Sequence, residues 1–218
     1  MITILNKSNS IFKQYLAEIR DKEIQKDSMR FRKNLERMGE ILAYEISKTL
    51  QYQAIQIQTP LGIAEESVLV DFPVIASILR AGLPIHHGML SIFDKSPNGF
   101  VTAYRNYEKD GSFHIKLEYI SCPEIKDKVL ILSDAMLASG ISMELAYRAL
   151  LEKGQPRHTH IVALIASKEG VNYLRKKLPD PKVSIWVGAL DDELTVKSYI
   201  VPGLGDAGDL AYGEKVIV

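Results

Sequence analysis

Between Ser28 and Leu50, apolar residues return at spacings of three and four. Phe31, Leu35, Met38, Leu42 and Ile46 share one helical face, and Arg30, Arg32, Lys33, Glu36 and Arg37 lie mostly off it. A shorter helix is predicted over 10–21, with Ser10 as its N-cap. Ala54 to Gln58 alternates, the turn signal Thr59-Pro-Leu-Gly62 follows, and a second strand starts at Ile63, which together predict a hairpin. The pattern then changes. Phe72 to Leu79 is a continuous apolar run, as in a strand covered on both faces, and Arg80-Ala-Gly82 ends it. Leu83 to Phe93 reads as a helix, and Phe100–Tyr107 with Ser112–Ile120 as a hairpin around the polar tip Glu108-Lys-Asp-Gly111. A buried strand over Lys128–Leu132 ends in Ser133-Asp134. After it come a helix over Ile141–Lys153 closed by Gly154, a strand over His160–Ala166, a helix over Lys168–Leu178 stopped by Pro179, and a strand over Val183–Val187.

Strands alternating with helices predict an α/β fold: a central parallel sheet flanked by helices on both faces. A helical N-terminal arm (1–52) and a protruding hairpin arm (101–120) complete one domain over 1–218, since neither a linker nor an internal repeat is visible. The composition supports a globular chain: 218 residues, 46% hydrophobic and 25% charged. Lys plus Arg (27) balance Asp plus Glu (27), so no global charge attracts a nucleic acid or an anionic membrane, and an anionic ligand must be held by local geometry. The single Cys122 excludes an intrachain disulfide and a multi-cysteine metal cage. No targeting segment or spanning run is evident, so a cytoplasmic protein is expected.

Ligands of open parallel sheets collect beyond the carboxyl ends of the strands, and three segments fall there. In Ser133–Ser142 a strand runs into Asp134, then the small residues Ala138, Ser139 and Gly140, then a helix. A helix N-terminus carries about half a positive charge and free N–H groups, and Ser139 and Ser142 add hydroxyls, so the segment can cradle a phosphate. Asp134, an acceptor only, suits ribose hydroxyls or a hydrated cation. Spacing alone leaves a second reading open, in which Asp134 and Ser139 simply cap a helix. Arg80 at a strand end can hold an anion or pair with a carboxylate, and Arg105 on the hairpin can join it or stay solvated. The tail Pro202-Gly-Leu-Gly-Asp-Ala-Gly-Asp209 exposes main-chain groups able to read a small planar amide, or is a flexible end. His86-His87, the pair His158 and His160, and Cys122 are read as structural, and Asp191-Asp-Glu193 as a solvated turn.

Taken together and in this order, Ile78-Leu-Arg-Ala-Gly82, Tyr104-Arg105, Asp134–Ser142 and Tyr199–Asp209 closely resemble the uracil phosphoribosyltransferase family, of the type I phosphoribosyltransferase fold. Arg20-Asp21, Phe31-Arg32 and Leu42-Ala-Tyr-Glu45 extend the likeness over nearly the whole chain. The resemblance implies transfer of the phosphoribosyl group of 5-phosphoribosyl 1-diphosphate (PRPP) to uracil, giving UMP and diphosphate. It places PRPP on Arg80, Arg105, Asp134, Ala135, Met136, Leu137, Ala138, Ser139, Gly140, Ile141, Ser142 and Asp206. It places uracil on Ile200, Gly205, Asp206 and Ala207. Arg80 and Arg105 would stabilise the leaving group, and no dedicated base is identified. Mg2+ is implied, carried by PRPP and water with no direct protein ligand. A GTP effector and a homo-oligomer, dimer or higher, are also implied.

The chain departs from the family's usual Asp-Pro-Met-Leu-Ala-Thr-Gly-Gly-Ser at Ala135, Ser139 and Ile141. A β-branched residue at φ > 0 would cost about 1–3 kcal/mol. We therefore expect Ile141 at negative φ, opening the helix. The competing reading is a non-catalytic uracil or nucleotide sensor on the same fold, for which Ile141 and Ala135 speak. An RNA-binding regulator lacks the basic surface it would need.

Overall fold

The computed structural model describes residues 1–107, 113–178 and 181–215, with backbone only at 103–107 and 113–117. The elements in chain order are β1 (Ile2–Ile4), α1 (Ile11–Arg20), α2 (Ser28–Ser47), β2 (Tyr52–Thr59), β3 (Gly62–Leu69), β4 (Val74–Leu79), α3 (Gly82–Ile92), β5 (Asn98–Tyr107), β6 (Phe113–Ser121), β7 (Val129–Leu137), α4 (Ile141–Leu150), β8 (His158–Ser167), α5 (Lys168–Lys177), β9 (Val183–Asp191), β10 (Glu193–Leu194), β11 (Ile200–Val201) and α6 (Ala207–Tyr212). A seven-stranded sheet has the order β1-β9-β8-β7-β4-β5-β6. All its pairings are parallel except β5 with β6, so the hairpin predicted over 101–120 is rooted in the main sheet as its antiparallel edge. Its tip, 108–112, lies outside the described residues.

The central strands are apolar on both faces because both faces are covered. Ile75, Ile131, Ala135, Val162, Leu164 and Trp186 point to the side packed by α1, α2, α3 and α6. Ala76, Leu130, Leu132, Ile161, Ala163 and Val187 point to the side packed by α4 and α5. The continuous hydrophobic runs are thus two interleaved sets with period two, each serving its own core. The α2 stripe is buried as predicted, and the Asp27 side chain caps the helix by accepting from the Arg30 N–H. Ser10 precedes α1 but makes no side-chain cap. β2 and β3 pair only with each other and stay largely exposed.

Three features depart from the expectations. β1 was not foreseen: three residues at the sheet edge, held by pairing with β9, carry no periodicity of their own. β7 does not stop at Asp134 but continues to Leu137, because Met136 and Leu137 keep their ladder partners Ile165 and Ala166 on β8. The end of the Gly-rich tail, from Ala207, enters a short helix, α6, which Asp206 caps by accepting from the Asp209 N–H at 3.0 Å. Among the described residues no helix is long and apolar enough to cross a membrane.

Candidate active site

The chain leaves β4 toward β5 on one side and reaches β7 on the other, so the carboxyl ends of β4 and β7 form the switch point of the sheet. Arg80 follows β4, and Asp134 lies near the end of β7. Gly82 presses against this junction: a Cβ there would lie 3.3 Å from the Ser133 carbonyl oxygen and 3.8 Å from the Asp134 Cα. Underneath, the Ser77 and Ser133 hydroxyls meet at 2.5 Å and His86 Nδ1 lies 3.1 Å from Ser77 Oγ, while His86 Nε2 lies 2.6 Å from Asn98 Oδ1. Burial lowers the His86 pKa, which favours the neutral ring: Nε2–H donates to the amide oxygen and Nδ1 accepts. His86 is therefore a structural link between the strand ends.

Asp134 accepts from the Ala135 N–H at 2.7 Å. It keeps some solvent contact, but protein surrounds it at the floor of the junction. This burial pushes its pKa up to about 7, against the pull of the Ala135 and Met136 N–H groups, and the Asp206 carboxylate adds to the rise. The two acids, well separated in the sequence, are thus close enough in the fold to affect one another. Asp206 stays below the usual carboxylate range despite its own burial, because the Asp209 N–H and Lys215 donate to it.

The segment after β7 is shaped by α5. The Ser167 hydroxyl donates to the Ala138 carbonyl at 2.6 Å and accepts from the Gly170 N–H at 2.8 Å. Gly140 takes the positive φ, 86°, and a Cβ on it would lie 2.9 Å from both the Gly170 carbonyl oxygen and the Tyr173 ring. Because Gly140 makes the turn, Ile141 is the first residue of α4 in helical conformation, with its side chain 36% exposed. No side chain caps α4, and the Ile141 N–H makes only a long contact, 3.5 Å, with Ser139 Oγ among the described residues. The first-turn N–H groups are thus available to an anion. Of the residues assigned to PRPP here, Ala135 and Leu137 face the cores at 1% exposure, so only their main chain can take part.

Arg80 reaches across to the C-terminal segment, donating to Asp209 at 2.8 Å and to the Gly213 carbonyl at 3.2 Å. Lys215 lies 3.1 Å from Asp206 and 3.9 Å from Asp209. The backbone of Arg105 is in β5 opposite Ile115, and its side chain lies outside the described residues. Ile200 pairs with Leu194, and Ile200, Leu204 and Ala207 are buried in the core, so the tail is anchored. Asp191 corrects the expectation of a solvated turn: it is 7% exposed and paired with Arg20. Asp209, Lys215, Arg20 and Asp191 were not assigned to the site from the sequence, since only the fold brings them there. His160 is buried against Trp186, whose Nε1–H donates to its Nδ1 at 2.9 Å, and no group of metal-ligating side chains forms among the described residues. Burial raises the Cys122 thiol pKa, the opposite of an activated nucleophile.

An uncapped helix N-terminus, an arginine at the end of β4 and a buried acid thus gather at one switch point beside the C-terminal tail. The chain belongs to the uracil phosphoribosyltransferase family, whose model matches residues 6–214. It is 55% identical to a uracil phosphoribosyltransferase of Porphyromonas gingivalis over 97% of this chain and 98% of that one. It is 37% identical to one of Pyrococcus furiosus over 93% and 86%. Among solved structures, a protein of Aquifex aeolicus superposes with a TM-score of 0.86 at 32% identity, covering 100% of both chains.

Proposed function

We propose that this protein transfers the 5-phosphoribosyl group of PRPP to N1 of uracil, forming UMP and releasing diphosphate. The observation that carries this reading is the convergence of Arg80, Asp134 and the Ile200–Ala207 tail at one switch point. The 5′-phosphate sits on the N–H groups of Ala138 to Ser142, with the Ser139 and Ser142 hydroxyls assisting. Asp134 orients the ribose hydroxyls. Arg80, joined by Arg105, turns from Asp209 to the diphosphate. The C1–O bond to diphosphate breaks, the C1–N1 bond forms and the N1 proton passes to water, no side chain being assigned as its acceptor. Uracil N1 is a poor nucleophile, so positioning and leaving-group stabilisation supply most of the rate. Main-chain groups of Ile200, Gly205 and Ala207, with Asp206 beside them, hold uracil against C1.

Asp134, partly accessible and within electrostatic reach of Asp206, is the acid that would face Mg2+ carried by PRPP and water. When bound, the ion neutralises charge on the departing diphosphate. The same reading includes one functional domain over 1–218, a homo-oligomer, a response to GTP, cytoplasmic salvage, and no nucleic-acid or membrane partner. Sedimentation with and without GTP reads the oligomer and effector expectations. Incubation with uracil, PRPP and Mg2+ tests the reaction. UMP is the expected product, whereas binding without turnover would restore the sensor reading, which Ile141 in helical conformation no longer supports.

Two predictions follow the geometry. Ile141→Gly should change the KM for PRPP by less than about tenfold, since Gly140 already supplies the left-handed turn. A far larger gain in affinity would mean the natural cradle is damaged. Uracil should also be preferred over cytosine by about tenfold to a hundredfold or more, because a main-chain donor facing uracil O4 meets an amino group in cytosine. Equal use of both bases would remove the tail from base recognition.

A further inference from the structure

Behind the tail lies an ion pair that the reaction as described does not use. Arg20 is the last residue of α1 and Asp191 the last of β9. They meet in a two-pronged pair: Nη1 donates to Oδ2 at 2.8 Å and Nη2 to Oδ1 at 2.7 Å. Each partner also takes one main-chain group of Gly203. Arg20 Nη1 donates to its carbonyl at 3.0 Å, and Asp191 Oδ2 accepts from its N–H at 2.9 Å.

The N–H and the carbonyl of one residue belong to the two peptide planes on either side of its Cα. Holding both fixes φ and ψ at that residue, and therefore the heading of the chain beyond it. At Gly203 this control is needed. Its φ of 55° is one that glycine leaves loose, and a Cβ, the usual restraint, would lie 2.1 Å from the Ile200 carbonyl oxygen. The next residues are Leu204 and Gly205, the latter at φ 95° with open space around it. With its amide assigned in the orientation that satisfies both ends, Gln25 donates to the Leu204 and Ile19 carbonyls at 3.0 and 2.9 Å and so holds the following step from the same side. Farther on, Arg32 donates to the Ala211 carbonyl at 2.6 Å. The N-terminal arm thus grips the rear of the tail at successive main-chain groups.

We propose that the Arg20–Asp191 pair is a positioning element for base recognition: it sets the direction of the main chain at 203–205, and so tunes affinity and selectivity for the base without touching it. This rests on the reading of that segment as the uracil site. Only a planar guanidinium can give two N–H groups to the carboxylate and a further one to the Gly203 carbonyl. Arg20→Lys therefore keeps the charge and loses the geometry. Asp191→Asn keeps an acceptor and loses the charge-assisted fork. The double variant Arg20→Gln/Asp191→Asn leaves no lone charge in a half-buried place, so it guards against a variant that simply misfolds.

The test measures KM for uracil and for PRPP, the uracil-to-cytosine preference, and amide hydrogen exchange across 200–206 in all three variants. We expect the uracil KM to rise about tenfold or more while the PRPP KM stays within about twofold, with a reduced preference for uracil. Exchange should quicken at 200–206 and stay slow in β7 and β8. Equal losses for both substrates, or unchanged uracil KM and unchanged exchange, would overturn the proposal. Wild-type protein that makes no UMP would instead sink the reading of the site, and the base-recognition role with it. Wild-type turnover with unaltered variants refutes the positioning role alone.

Discussion

Arg80→Ala is expected to lower kcat/KM for PRPP by about two to three orders of magnitude, the usual loss when one preorganised donor to developing charge is removed. Arg80 is placed for this by the short turn that directly follows β4, whose residues are buried up to Ile78. Without ligand its guanidinium rests on Asp209 and the Gly213 carbonyl. It is 39% exposed there and Asp209 is 29% exposed, so the pair adds at most about 1 kcal/mol to stability. The thermal midpoint of the variant should accordingly fall by no more than a few degrees. Arg80→Lys should recover little of the activity, because an ammonium cannot offer the parallel N–H groups that match two phosphate oxygens. Steady-state kinetics together with a melting curve check both halves. Wild-type kinetics in Arg80→Ala would withdraw the arginine from the reaction, and a collapsed fold would show that its ion pair had been undervalued.

Asp134→Asn should move activity and stability in opposite directions. Burial raises the Asp134 pKa to about 7, so the folded protein binds this proton more tightly than the unfolded chain does. Between the unfolded and folded pKa values the folded state holds more protons, so stability falls as pH rises through that window and the deficit is complete above pH 7. Asparagine carries no charge to desolvate and can still accept the Ala135 N–H. The variant should therefore be more stable than the wild type by about 1–3 kcal/mol at pH 8, with the margin closing as pH falls below about 4, where the carboxyl becomes protonated in both states. Because the proposed role of Asp134 is to hold ribose hydroxyls as an anion, kcat/KM for PRPP should drop by about a hundredfold or more. The wild-type kcat/KM should also fall on the acid side near neutrality, and that limb should vanish in the variant. Denaturant unfolding at both pH values and a pH–rate profile read these effects. An Asp134→Asn variant that is both less stable at pH 8 and fully active would refute the burial argument and the assigned role together.

The parts of the site that could be read from the sequence are those encoded within one short segment. The loop 138–140 had to turn in little space before a strong helix, so small residues there, followed by Ile141 and Ser142, were sufficient to place a helix N-terminus, and the fold then left it without a side-chain cap. Glycine at 140 also explains how a β-branched residue can follow without strain: the left-handed conformation falls on the residue that has no Cβ. Arg80 was legible because a continuous apolar run must stop where its strand leaves the core. The extent of β7 was not legible. Whether Met136 and Leu137 stay in the strand depends on ladder partners at Ile165 and Ala166, supplied by another part of the chain. For the same reason the solvated-turn reading of Asp191 failed. A run of acids looks like surface until α1 delivers Arg20 to it from across the sequence.

The sequence by itself determined the alternation of strands and helices, the two-faced burial of the sheet, and the segments proposed to carry the chemistry. Each follows from local rules: side-chain period, turn residues, and the free N–H groups at a helix start. Only the tertiary structure decided which distant groups share a charge environment. Asp134 is pushed up to about 7 mainly because folding buries it, with the Asp206 carboxylate adding to the rise, while Asp206 itself is held low by the Asp209 N–H and Lys215. Likewise, Gly203 has a defined conformation because Arg20 and Asp191 hold its two peptide planes from different elements. Periodicity reports how a residue meets its own helix or strand. Coulomb energy, desolvation and bidentate geometry depend on distances between segments, and those exist only once the chain has closed on itself.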